Sequence, residues 1–132
     1  MKKAAFILAI SLCLFSCSKK TEPKDERKFD SIIGHWTEYA YFTSENFFIQ
    51  TDSESYYDFD SEGVCTYYSG HVLDSFTEYQ YTFDKKTQIV TCLHERGWNL
   101  SIVVEYLSEK EAIFYVTGRT SSSSKTIKVR RN

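Results

Sequence analysis

Between residues 98 and 106 every second position is large and apolar: Trp98, Leu100, Ile102, Val104 and Tyr106, with Asn99, Ser101 and Glu105 among the residues between. A period of two is the signature of a β-strand that buries one face. Comparable runs occupy 34–42, 46–51, 55–60, 64–68, 76–83, 88–93, 112–118 and 125–131. Turn-forming segments separate them: Asp60-Ser61-Glu62-Gly63, Asp84-Lys85-Lys86-Thr87, Ser108-Glu109-Lys110-Glu111 and the serines at 121–124. Strands so closely spaced, with no sustained helical period, predict an antiparallel meander. Ten Tyr, ten Phe and two Trp supply large rings for its core. The spacing therefore predicts an all-β fold, a small antiparallel up-and-down β-barrel of about eight strands, because closure removes exposed edges. An open sandwich is the structural alternative. Residues 30–33 are expected to form a helical turn capping one end.

The N-terminus has a different character. Lys2-Lys3 precede an apolar run from Ala4 to Phe15, too short and wrongly flanked for a stable membrane-spanning helix and of secretory type. The run ends in Leu14-Phe15-Ser16-Cys17, which resembles the lipobox of bacterial lipoproteins. That resemblance implies removal of residues 1–16 as a signal peptide and acylation of Cys17, giving membrane attachment through N-terminal lipid. Ser18 after the cysteine resembles Gram-negative outer-membrane sorting, so the expected location is the cell envelope, on the outer membrane, at its periplasmic face or at the cell surface. Residues 18–28 carry dense mixed charge and no apolar residue, which predicts a flexible tether over 17–28 and a folded domain over 29–132. The formal net charge of −2 falls to −4 once Lys2 and Lys3 leave (14 basic, 18 acidic residues), which argues against a nucleic-acid surface.

Within 30–132 the residues resemble bacterial lipocalin-like lipoprotein domains. Ile33-Gly34-His35-Trp36 opens the first strand as the Gly-x-Trp of lipocalins does. Tyr57-Asp58-Phe59-Asp60-Ser61-Glu62-Gly63-Val64, Tyr79-Gln80-Tyr81-Thr82-Phe83-Asp84, Trp98-Asn99-Leu100-Ser101-Ile102 and Ile127-Lys128-Val129-Arg130-Arg131 follow in the family's order. By resemblance, Gly34 and Trp36 belong to the closed end of the barrel, with Arg130 or Arg131 stacked on the indole. This role is structural and names no ligand.

Residues able to carry chemistry are few. Cys65 and Cys92 are compatible with a disulfide in an oxidising envelope, but a strand should lie between theirs, and two strand spacings are about 9.5 Å against the roughly 7 Å a bridge tolerates. Buried unpaired thiols are the reading this favours. His35, His71 and His94, with Cys92-x-His94 on one strand face, match no zinc spacing, so no metal is expected. Asp58, Asp60 and Glu62 before Gly63 lack the register of a calcium loop and are expected to turn the chain. No nucleophile elbow, metalloprotease helix or phosphate-binding glycine loop is present, so neither an enzyme nor a cofactor is expected.

Two functions follow as expectations. One is a tethered protein holding a small apolar or amphipathic ligand in the barrel mouth, with Glu38, Tyr57, Tyr79, Tyr81 and Ile102 as candidate contacts, as the lipocalin resemblance implies. The other is an envelope protein-interaction or inhibitor module with a filled barrel. Adjacent tyrosines at Tyr56-Tyr57 and Tyr67-Tyr68 must send one ring to each face of the sheet, so one ring of each pair is expected outside.

Overall fold

The computed structural model describes residues 27–43, 45, 47–52, 54–70, 75–119 and 124–132. The expected signal peptide, Cys17, the tether up to residue 26, His71 and the serines at 121–123 lie outside the described residues.

Nine strands follow in order: β1 (Gly34–Phe42), β2 (Phe48–Gln50), β3 (Tyr56–Phe59), β4 (Val64–Ser69), β5 (Ser75–Asp84), β6 (Ile89–Leu93), β7 (Leu100–Ser108), β8 (Glu111–Thr117) and β9 (Lys125–Arg131). All pairings are antiparallel, and β1 pairs with β9 to close β1 and β3–β9 into an eight-stranded up-and-down barrel of lipocalin-like form. The extra strand β2 shares one edge of β1 with β3: Ala40 faces Gln50 and Thr37 faces Tyr56. The Thr51 N–H donates to the Tyr39 carbonyl at 2.9 Å and the Glu38 N–H to the Ser55 carbonyl at 3.0 Å. Thr51 and Ser55 thus meet adjacent residues of β1, so β2 and β3 lie end to end along one edge of β1.

One end of the barrel is plugged. Trp36 is fully buried, its Nε1 donates to the Ile32 carbonyl at 2.9 Å, and its ring meets Phe29 and Phe114 at 5.4 Å each. The expected helical turn at 30–33 does not form. Instead residues 27–33 cross the barrel end as irregular chain, burying Phe29 and Ile32. In this irregular form the Ile32 carbonyl accepts from the indole, which ties the crossing chain to β1. The irregular backbone is satisfied from the β5–β6 turn: Gln88 adopts φ 59° and swings its buried amide onto Phe29, accepting from the Phe29 N–H at 3.0 Å and donating to its carbonyl at 2.9 Å.

Arg131, not Arg130, lies on Trp36, with its guanidinium 4.6 Å from the ring centroid. This explains Gly34. A Cβ there would stand 2.7 Å from Arg131 Cδ, and φ is +142°, a conformation side chains rarely adopt.

The inward faces of the strands meet as one contiguous core in which Trp36, Tyr57, Phe59 and Phe114 are fully buried. Phe114 touches the other three rings at 5.4, 5.8 and 6.3 Å, so aromatic side chains span the interior between opposite walls. Trp98 departs from the sequence expectation. The strand starts at Leu100, and Trp98 sits in the β6–β7 turn, half exposed and stacked on His94 at 4.8 Å. The turn is drawn tight by the His94 N–H donating to Asn99 Oδ1 at 2.8 Å, which pulls residues 94–99 out of the ladder.

Candidate functional site

Two places merit consideration, the interior towards the unplugged end and one outer face. The interior contains the residues that the ligand reading selected, but it packs most of them into the core. Glu38, Tyr57 and Tyr79 all point inward and are buried. Ile102 is completely enclosed within the hydrophobic core. Tyr81 points inward lower down, towards the plugged end, where its hydroxyl donates to the Asp60 carbonyl of the β3–β4 turn. Tyr57, Tyr79 and Ile102 thus belong to one packed core, with Tyr81 against it, and do not line an open mouth.

Lys125 takes a place that sequence reasoning missed. Counting back by twos from Ile127 and Val129 sets it on the inward face, and the alternation alone could have found it. Its Nζ donates to the Tyr67 hydroxyl at 2.9 Å and lies 4.8 Å from the Tyr67 ring centroid and 5.9 Å from that of Tyr57. Burial pushes the Tyr57 phenol well above its ordinary value, and burial, with lesser contributions from Cys92 and Cys65, pushes Tyr79 up to about 12. Both therefore serve as neutral hydroxyls at physiological pH.

Cys65 and Cys92 are buried free thiols on the strands flanking β5, facing Tyr79 and Tyr81 respectively. The Cys65 thiol hydrogen-bonds that of Cys92, and this contact together with burial drives its pKa far upward. The intervening strand leaves the thiols touching rather than bridged. Each then acts as a small apolar filler of the core.

The histidines and the acidic turn have local partners. His35 Nδ1 lies 3.4 Å from Asp58 Oδ1. Asp60 Oδ1 accepts from the N–H groups of Glu62 and Val64 at 2.9 and 2.8 Å, an Asx-type turn that Gly63 completes at φ +87°. Arg130 points outward, 4.3 Å from the Tyr39 ring centroid and 3.4 Å from Glu111.

The outer face carries a row of rings. His35 on β1 stacks near Tyr56 on β3 at 4.2 Å; Tyr56 stacks on Tyr68 of β4 at 5.2 Å, and Tyr68 meets Phe76 of β5 at 4.9 Å. Register produces the row, since Tyr56 faces Tyr68 and Tyr68 faces Phe76 directly. It ends at Phe76, which is 62% exposed. Beyond Phe76 lies a cleft of about 530 Å³ between β5 and the β6–β7 turn, bordered by Phe76, Glu78, Leu93, Glu95 and Trp98. Leu93 and Trp98 are also half exposed, and Arg96 lies over the Trp98 ring at 5.7 Å. The sequence puts one ring of each tyrosine pair outside, and Tyr56 is that ring of its pair; Phe76 was passed over, although it is out of phase with the inward series Tyr79, Tyr81 and Phe83.

A second cleft, of about 380 Å³, lies where the chain enters the domain, beside Arg27, Lys28 and Lys86.

The fold defines a small closed antiparallel barrel with one plugged end and a ring-bearing outer face. No protein-family model, curated protein or solved structure matches the chain.

Proposed function

We propose that this chain is a lipid-tethered envelope protein of lipocalin-like build that recognises another protein through its outer aromatic face, its barrel interior serving as structural core. The observation that carries the reading is the contrast between two sets of rings. Trp36, Tyr57, Phe59 and Phe114 are packed against one another across the barrel, whereas Phe76, Leu93 and Trp98 gather exposed around one cleft. Cross-strand stacking alone accounts for Tyr56 and Tyr68. It does not account for an exposed apolar cluster, which marks a recognition site more often than it serves a monomer. Rings with polar neighbours also suit a protein interface. The Gly34–Trp36–Arg131 arrangement supports the lipocalin-like build. Attachment through Cys17 and outer-membrane placement rest on the lipobox resemblance and belong to the same proposal.

A second reading, a small amphipathic ligand in the mouth, draws support from Lys125, whose ammonium among the Tyr57 and Tyr67 rings suits an anionic head group. Native mass spectrometry of the protein purified from its own envelope separates the two. Surface recognition predicts a protein complex that disappears in a Tyr68→Ala/Phe76→Ala double variant and persists in Lys125→Met. A stoichiometric small molecule lost in Lys125→Met would reverse the choice.

A further inference from the structure

The cleft beside Phe76 is bordered by backbone as well as side chains. In an antiparallel strand the N–H and C=O of one residue point to the same side, and consecutive residues alternate sides. The Tyr81 N–H donates to the Gly63 carbonyl at 2.8 Å, so Tyr81, and with it Tyr79 and Thr77, addresses the β4 side. The Asp84 carbonyl accepts from the Gln88 N–H at 2.7 Å, so Asp84, and with it Gln80, Glu78 and Phe76, addresses the β6 side. But β6 reaches β5 only from Leu93 opposite Gln80 onward, because the chain turns away at His94. Among the described residues, no strand pairs with Phe76 or Glu78 on that side. The edge arises because the β4–β5 hairpin reaches further from the plugged end than the β6–β7 hairpin.

We propose that this edge of β5 binds an extended segment of a partner protein by strand addition, the segment carrying a basic side chain two residues from an apolar one. The proposal rests on the outer-face reading above and specifies its partner. Backbone donors and acceptors at Phe76 and Glu78 supply the pairing, and the side chains set the choice of sequence. A residue directly opposite Phe76 lies among Phe76, Leu93 and Trp98, which favours an apolar side chain. One opposite Glu78 meets the carboxylates of Glu78 and Glu95, which favours lysine or arginine. The same charges disfavour a second copy of this chain as occupant, since β5-to-β5 pairing would bring four carboxylates together. The edge thus discourages self-association while remaining open to a basic strand.

The test uses the full chain in detergent and a heptapeptide, Lys-Thr-Leu-Thr-Lys-Thr-Leu, followed through Trp98 fluorescence against a Trp98→Phe control. Strand addition predicts saturable binding. Methylating the amide nitrogens of the internal leucine and lysine should weaken it about tenfold or more, as loss of interface hydrogen bonds implies. Glu78→Pro, which removes an N–H on the open side and none from the β4 ladder, should abolish it, and Glu78→Lys with Glu95→Lys should do the same without touching the backbone. Equal binding of the methylated peptide overturns strand addition while leaving recognition by the outer rings standing. Binding that is also indifferent to Phe76→Ala overturns both. Absence of binding by the unmodified peptide, or a dimer of the chain that Glu78→Pro dissolves, overturns the basic-strand assignment.

Discussion

Arg131 covers Trp36 like a lid, its guanidinium 4.6 Å from the indole centroid and its aliphatic stem filling the space a Cβ at Gly34 would need. The same guanidinium donates to the carbonyls of Ser31 and Ile33, both at 3.2 Å, and of Glu109 at 2.9 Å. It thereby joins the entering chain, β1, the β7–β8 turn and β9. Charged hydrogen bonds and a cation–π contact of this kind make Arg131→Met cost about 2–3 kcal/mol. The neighbouring Arg130 has an exposed ion pair to Glu111 and lies on the outer Tyr39 ring, both open to solvent and without Arg131's carbonyl bonds, so Arg130→Met should cost about 1 kcal/mol. Urea denaturation of the two variants measures both; equal losses would mean that Arg131 does not hold the plug.

The two faces of the sheet differ in the same way. Trp36→Ala empties a fully buried site and should cost roughly 3–5 kcal/mol. Tyr56→Ala removes a half-buried outer ring stacked on Tyr68 and should cost well under half as much. Similar losses would contradict the assignment of Tyr56 to the outside.

Strand positions and the inward faces were legible because alternation is a local property: Tyr57, Phe59, Tyr79 and Ile102 are all buried as their phase requires. Four features were not legible, each for a separate reason. Runs 46–51 and 55–60 look like independent strands, yet they lie end to end along the same edge of β1. Trp98 keeps the phase of Leu100 in sequence and loses it in space, because Asn99 captures the His94 amide and bends the chain before the strand begins. The open side of Phe76 and Glu78 depends on the unequal reach of two hairpins, a relation between elements that no single segment encodes. Choice between Arg130 and Arg131 likewise awaited the register of β9 against β1, in which Arg131 faces Trp36.

Alkaline pH should destabilise the fold in a defined window. Tyr79 is raised to about 12 chiefly by burial, Tyr115 to about 12 chiefly by donating to Glu105 at 2.6 Å, and buried Tyr57 is raised well above 10. A phenol with a raised folded pKa contributes stability that is intact below its unfolded value of about 10 and is lost as pH climbs towards the folded value. The melting temperature should therefore be flat in its tyrosine contribution below pH ~10 and fall between ~10 and ~12. Tyr79→Phe and Tyr115→Phe should each shallow that fall. An unchanged slope in both would show that these phenols do not drive it.

Cys65 and Cys92 are fully buried, with their thiols paired across β5. Iodoacetamide followed by peptide mapping should label neither in the folded protein and both in urea, because alkylation requires an exposed thiolate. A mild oxidant should leave the pair unbridged in the folded state, since the strands hold their backbones too far apart. Rapid labelling of the native protein, or a Cys65–Cys92 disulfide formed without unfolding, would contradict this packing.

The central claim is that recognition takes place on the outer ring row and not inside the barrel. Photo-crosslinking in the native envelope tests it directly, with p-benzoylphenylalanine placed either at Phe76, outside, or at Tyr67, inside next to Lys125. The account predicts a discrete protein adduct from position 76, suppressed by Glu78→Lys, and no partner adduct from position 67. A small-molecule adduct from position 67 with none from position 76 would contradict it.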